Sequence, residues 1–131
     1  MIGLDTNVLV RYLTHDDPAQ YAKAAAFIDG ATDRGEQFVV NTTVLCELEW
    51  VLRTAYGYSR EEIALALEQI FATAQFEVER LDEARQALGD FRSTKADFSD
   101  ALIGRVNRSL GAEHTVTFDR DLKAVETFRL L

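Results

Sequence analysis

Short apolar runs that suit β-strands alternate along this chain with longer stretches of helical periodicity, and that alternation limits the fold more than any single residue does. Ile2 to Leu4 form the first run, which ends at Asp5; Thr6 and Asn7 then start a helix that includes Val8, Leu9 and Leu13. Asp17 and Pro18 place a cap and a first-turn proline ahead of Tyr21, Ala25 and Ile28, with Gly30 expected to end that helix. Phe38 to Val40 read as a strand, and Thr42 or Thr43 as the cap of a helix running toward Gly57. Ser59 and Glu62 spell a capping box ahead of Ile63, Leu67 and Ile70. Phe76 to Val78 read as the next strand, and Ala84, Leu88 and Phe91 as the inner face of the helix after it. A further helix from near Asp97 to Gly111 turns Phe98, Leu102, Val106 and Leu110 inward. His114 to Phe118 alternate as a strand, and a short helix and an apolar tail suited to an edge strand follow.

Strands joined by helical crossovers lie parallel, with helices on both faces of the sheet. The expected fold is therefore α/β, a three-layer α/β/α sandwich with a mainly parallel central sheet. At 131 residues the chain suits a single domain over 1–131 with one core. Lone Cys46 rules out an internal disulfide and, near Leu45 and Leu48, reads as a buried thiol in a reducing cytoplasm. The sequence starts directly on an apolar strand without a charged leader, and no apolar stretch reaches the roughly 20 residues of a membrane span. A cytoplasmic location, away from membranes, is expected.

In such a sheet, ligands bind beyond the carboxyl ends of the strands, where the following helices begin. Asp5 ends the first strand and Asp119 follows Thr115 to Phe118; Glu47 lies in the first turns of one helix and Asp100 in the first turn of another. Four carboxylates distant in sequence are thus expected at one edge. Asp97 reads chiefly as a helix cap, with a ligand role open because it lies one turn before Asp100. Asp119 is preferred to Asp121 by its position after the strand, although either can cap the turn they share. Gly104, one turn beyond Asp100, is expected to clear space for a cation or substrate at a helix-propensity cost of roughly 1 kcal/mol. Glu49 precedes Arg53 by four residues and reads as half of a surface ion pair. Glu47 lies between Trp50 and Val51 without a basic neighbour on its helix, and a cation would supply the missing partner. His15 and His114 are expected to be solvent-exposed, without a catalytic role.

The net charge of −8 opposes binding to nucleic acid unless cations occupy some of the carboxylates. Crowded acids take up protons or bind cations. Hard oxygen donors select Mg²⁺ or Mn²⁺, and there is no Cys and His set for zinc. A water kept by Mg²⁺ would attack a phosphodiester while the metal stabilises the developing charge. Arg11, Lys95, Arg105, Arg108 and Arg120 are the candidates for flanking phosphates.

Asp5-Thr6-Asn7, Glu47 in "CELEWVL", "DFSDALIG" from Asp97 to Gly104 and "TFDRDL" from Thr117 to Leu122 occur in an order that resembles the successive motifs of PIN-domain nucleases. The resemblance spans nearly the whole chain, and the short length is similar to that of VapC toxins. It implies Mg²⁺- or Mn²⁺-dependent endonucleolytic cleavage of RNA, a homodimer and inhibition by a cognate antitoxin protein. It places the acidic site at Asp5, Glu47, Asp100 and Asp119, with Thr6, Asn7 and Thr117 in support. Trp50, Tyr56 and Tyr58 are candidates for the interface. Two other readings compete. A haloacid-dehalogenase-like phosphatase would use Asp5 as nucleophile, but it expects an acid where Asn7 stands and lacks its lysine. A non-catalytic acidic binding module would use the carboxylates for recognition alone.

Overall fold

In a computed structural model describing residues 1–131, helices and short strands alternate as the periodicity requires. β1 (Ile2–Gly3) leads through Leu4 and Asp5 into α1 (Thr6–Thr14), and α2 (Pro18–Asp33) returns the chain to β2 (Phe38–Val40). α3 (Thr42–Thr54) and α4 (Arg60–Ala72) precede β3 (Phe76–Val78), and α5 (Leu81–Ser93) and α6 (Phe98–Ser109) precede β4 (Thr115–Thr117). A 3₁₀ turn at Arg120–Leu122 connects to β5 (Phe128–Leu130).

All strand pairs are parallel, as expected for strands separated by crossovers. β2 lies between β1 and β3, with Phe38 opposite both Ile2 and Phe76. β4 and β5 form a second ladder, Thr115 opposite Phe128, so the strands divide into two ladders where one continuous sheet was expected. The core lies between the helices and β2: Phe38 is fully buried with its ring edge-on to Phe76, and Leu9, Leu45, Leu48, Leu52, Ile63, Leu67 and Ile70 surround it.

The expected caps at Asp17 and Ser59 form. The Gln20 amide donates to the Asp17 carboxylate, and Ser59 and Glu62 exchange both bonds of the capping box. Three local expectations change. α2 continues past Gly30 to Asp33, because Ala31 is buried one position further on. α3 is capped by Asn41, which accepts from the Val44 amide, and not by Thr42 or Thr43. Thr42 instead donates its amide and hydroxyl to Glu79 beyond β3. Leu110, expected on the inner face, is exposed just past the end of α6.

One side chain fixes the connection from α5 to α6. The Arg60 guanidinium donates to the carbonyls of Phe91, Thr94 and Ala96 and stacks 4.0 Å from the centre of the Phe91 ring. It thereby satisfies carbonyls that the end of α5 leaves free. Arg105 of α6 makes a two-pronged pair with the buried Asp90 of α5, at 2.7 and 2.8 Å. The segment carrying Lys95 and Asp97, and the first turn of α6 after it, are held from both sides.

Candidate active site

Asp5 stands at the N-cap position of α1 in extended conformation, exposed, and its carboxylate makes no capping bond. That side chain is free for another partner. Thr6 behind it is buried, and its hydroxyl has no hydrogen-bond partner. Asn7 faces a different space, the cleft that Val8, Arg11, Gln20 and Phe27 line between α1 and α2.

Asp100, in the first turn of α6, is half-buried and takes part in no ion pair. Its carboxyl titrates above its ordinary value, first because burial penalises the charge and then because Asp97 and Asp119 add like charge; Arg53 pulls the other way. Asp97 and Asp119 therefore each lie close enough to act on Asp100. α3 is next to them: Cys46 and Ser99 line one cleft, and burial pushes the Cys46 thiol above its usual range, with Glu49 and Asp100 adding to the rise. Cys46 is half-buried between α3 and α6, not fully enclosed as expected.

The two glutamates of α3 exchange the surroundings read from the sequence. Glu47 is exposed, on a solvent stripe with Thr43, Trp50 and Thr54. Glu49 is fully buried, accepts the Phe98 amide at 3.3 Å and lies 3.5 Å from Arg53. The Arg53 pair forms as expected, but the carboxylate is no surface group. Burial holds Glu49 above the usual carboxylate range despite the pull of Arg53. The spacing held the signal, since Leu45, Leu48, Glu49 and Leu52 form one i, i+3, i+4, i+7 stripe. Glu49 thus accepts, from another helix, the first free amide of α6. Asp97 occupies the N-cap position without a capping bond and lies 3.8 Å from both Arg53 and Arg60.

Asp119 is exposed, and its carboxylate accepts the Asp121 amide at 2.9 Å while its own amide donates to the Thr117 hydroxyl at 3.0 Å. One oxygen caps the 3₁₀ turn, and Thr117 fixes the residue from the strand side. Asp121 is exposed on that turn. Gly104 does not clear space for a ligand. A Cβ there would collide with the Thr127 hydroxyl and the Phe128 ring, so the glycine admits the last strand against α6.

Several expected phosphate contacts are committed elsewhere. Arg11 pairs with Asp16 and donates to Gln20 and Tyr56; Arg105 pairs with Asp90 and Glu126, and Arg108 with Glu126. His15 is exposed, as expected, in left-handed conformation with its ring 3.9 Å from that of Tyr21, whereas His114 is half-buried ahead of β4. Tyr56 and Tyr58 are half-buried and pack edge-on, which leaves Trp50, 58% exposed, as the one of those three free to meet a partner.

The oxygen donors suit a hard divalent cation, and the unpartnered Thr6 hydroxyl beside Asp5 adds a neutral one. No three His, Cys, Asp or Glu side chains form a ready-made ligand group. A closed four-ligand cage of the structural zinc type does not match this arrangement. Mg²⁺ does, because it binds through one or two carboxylates, keeps several waters and shares substrate phosphates.

Parallel ladders flanked by helices, with free carboxylates where α1 and α6 begin, define a PIN-like α/β protein. The chain belongs to the PIN domain family, which matches residues 2–127. It is similar to a VapC ribonuclease from Aquifex aeolicus (strain VF5), with 28% identity over 120 residues, covering 92% of this chain and 88% of that protein. No helix is long and apolar enough to cross a membrane.

Proposed function

We propose that this protein is a divalent-cation-dependent endoribonuclease and the toxin of a toxin–antitoxin pair, acting in the cytoplasm. The observation that carries the reading is Asp100: a half-buried carboxylate without an ion-pair partner, facing the charges of Asp97 and Asp119, in a chain that follows the PIN family almost end to end. Mutual repulsion of this kind is relieved by protons or by a cation. Similarity to a VapC ribonuclease supports RNA as the substrate and an antitoxin as the partner. Exposed Trp50 supports a protein contact on α3, for which a homodimer is the proposed form.

From Asp5, Glu47, Asp100 and Asp119, one or two carboxylates would bind Mg²⁺ or Mn²⁺ directly and the others would hold its waters, with Asp97 and Asp121 as further carboxylates at the margin. When bound, the cation would supply Lewis-acid polarisation of the phosphoryl oxygen and would activate an attacking water. The protein's own part is to hold and orient. Glu49 and Arg60 hold the start of α6, which presents Asp100, while Thr117 and the 3₁₀ turn set the direction of Asp119. Thr6, next to Asp5 in sequence, keeps a buried hydroxyl without a partner.

Cleavage of single-stranded RNA by the purified protein tests this reading. EDTA should abolish cleavage, Mg²⁺ or Mn²⁺ should restore it, and Asp100→Asn should lose most of it. Full activity in chelator would refute the metal-dependent reading.

A further inference from the structure

Beside the acidic edge, Ser93, Thr94, Lys95, Arg120, Asp121 and Lys123 line an open cleft of about 680 Å³. It lies within the roughly 300–1,000 Å³ of ordinary ligand pockets. Its position is set by two elements already described: Lys95 precedes Asp97 in the segment that Arg60 holds, and Arg120 follows Asp119 on the 3₁₀ turn.

Lys95, Arg120 and Lys123 are exposed, and none has an ion pair or a side-chain hydrogen bond within the chain. Arg11, Arg53, Arg60, Arg80, Arg92, Arg105 and Arg108 are all paired with carboxylates, and of the other unpaired cations Lys23 and Arg85 line separate clefts, each beside a paired arginine. In a chain of net charge −8, three unneutralised cations facing one cleft, against the single carboxylate of Asp121, form a local field opposite to that of the whole. No aromatic side chain lines the cleft, so it offers charge without a surface for stacking bases. Such a lining fits a phosphodiester backbone read without regard to sequence.

We infer that this cleft binds backbone phosphates of the RNA strand on the Asp119 side of the scissile bond, through Lys95, Arg120 and Lys123. The inference rests on the ribonuclease reading. It also answers the objection raised by the acidic net charge: the strand is held by a local basic track while the acids are occupied by cations.

The test uses the full chain carrying Asp100→Asn to stop cleavage. Fluorescence anisotropy with a short, labelled, mixed-sequence single-stranded RNA is measured in Mg²⁺ across a range of KCl. Adding Lys95→Ala, Arg120→Ala and Lys123→Ala together should lower the slope of log affinity against log salt by about 2, at about 0.7 per lost contact. Near 0.1 M salt the affinity should fall on the order of 100-fold. A control carrying Lys23→Ala, Arg34→Ala and Arg85→Ala changes net charge equally at exposed sites outside the cleft and should keep the parent slope. Equal losses in both sets would overturn the inference in favour of bulk charge. Unchanged binding in the cleft variant would overturn it too, and would leave the cleft to an acidic protein partner. A parent protein that cuts RNA when Asp100 is intact but binds none in this assay overturns the cleft alone. A protein that neither cuts nor binds RNA overturns the ribonuclease reading, and this inference with it.

Discussion

Replacing Gly104 with alanine asks whether the missing side chain serves the last strand or the acidic site. The new methyl group would meet the Thr127 hydroxyl and the Phe128 ring. Phe128 is half-buried and its ring can swing aside, but Thr127 is buried and its carbonyl accepts the Thr115 amide at 2.8 Å. Thr127 cannot withdraw without loosening the β4–β5 ladder. Overpacking costs about 1–3 kcal/mol, and about 2–3 kcal/mol here because the closest clash is with buried Thr127; removing a glycine from a helix interior returns about 1 kcal/mol. A net loss of about 1–2 kcal/mol remains. With an unfolding entropy of about 2.1 cal/mol/K per residue over 131 residues, the midpoint of thermal unfolding should fall by about 4–7 °C. Circular dichroism melts would read it. The Thr127 hydroxyl is buried without a partner, so Thr127→Ala alone should cost little, and it should restore much of the loss when combined with Gly104→Ala. An unchanged midpoint in Gly104→Ala, or strictly additive effects in the double variant, would refute the packing argument. Loss of RNA cleavage at an unchanged midpoint would return Gly104 to a role in ligand clearance.

Asp100→Asn carries a pH signature that can be read in EDTA. The folded state holds this carboxyl above its ordinary value of 3.8, so the wild type loses stability as pH rises from there through the raised folded value. The asparagine variant should be the more stable at neutral pH, with the two converging below about pH 3.8; a less stable variant at neutral pH would refute the repulsion argument. Glu49→Ala should cost about 2–4 kcal/mol by urea denaturation, since it leaves a hollow and an unpaired Phe98 amide. Glu49→Gln keeps an acceptor there and should cost less than about 1 kcal/mol. Glu47→Gln, at an exposed position, should leave stability within about 0.5 kcal/mol yet lower the cleavage rate at least about tenfold. A stability loss at Glu47 matching that at Glu49→Ala would reverse their assignment.

The order of elements was legible because each leaves a local mark. The period of the apolar residues changes between strand and helix, and Asp17-Pro18 and Ser59 with Glu62 announce their helices through bonds a few residues long. The fold class and the separate positions of Asp5, Asp100 and Asp119 at element ends follow from that. What the sequence concealed depends on partners far along the chain. Glu49 looks like a surface glutamate beside Arg53 until the Phe98 amide arrives from α6. Gly104 looks like an opening until Thr127 and Phe128 occupy it. Asp97 sits where a cap belongs, yet it makes no capping bond and its charge is drawn toward Arg53 and Arg60. Lys123 was missed because only the turn after Asp119 brings it to the same cleft as Lys95.

The division into two parallel ladders also bears on when the site can exist. Parallel strands cannot close through a tight hairpin, and β4 is held by β5, which lies ten residues further on and leans on α6 through Gly104. Asp5 is near the start of the sequence, whereas the turn that orients Asp119 is fixed only after α6 and both of those strands are in place. Contacts of such long range form late and slowly during folding. A chain still being synthesised, or one cut between α1 and β4, would carry acids but no assembled centre. On the proposed ribonuclease reading, this order of assembly keeps the acids apart, and the centre unformed, until β4 and β5 have paired.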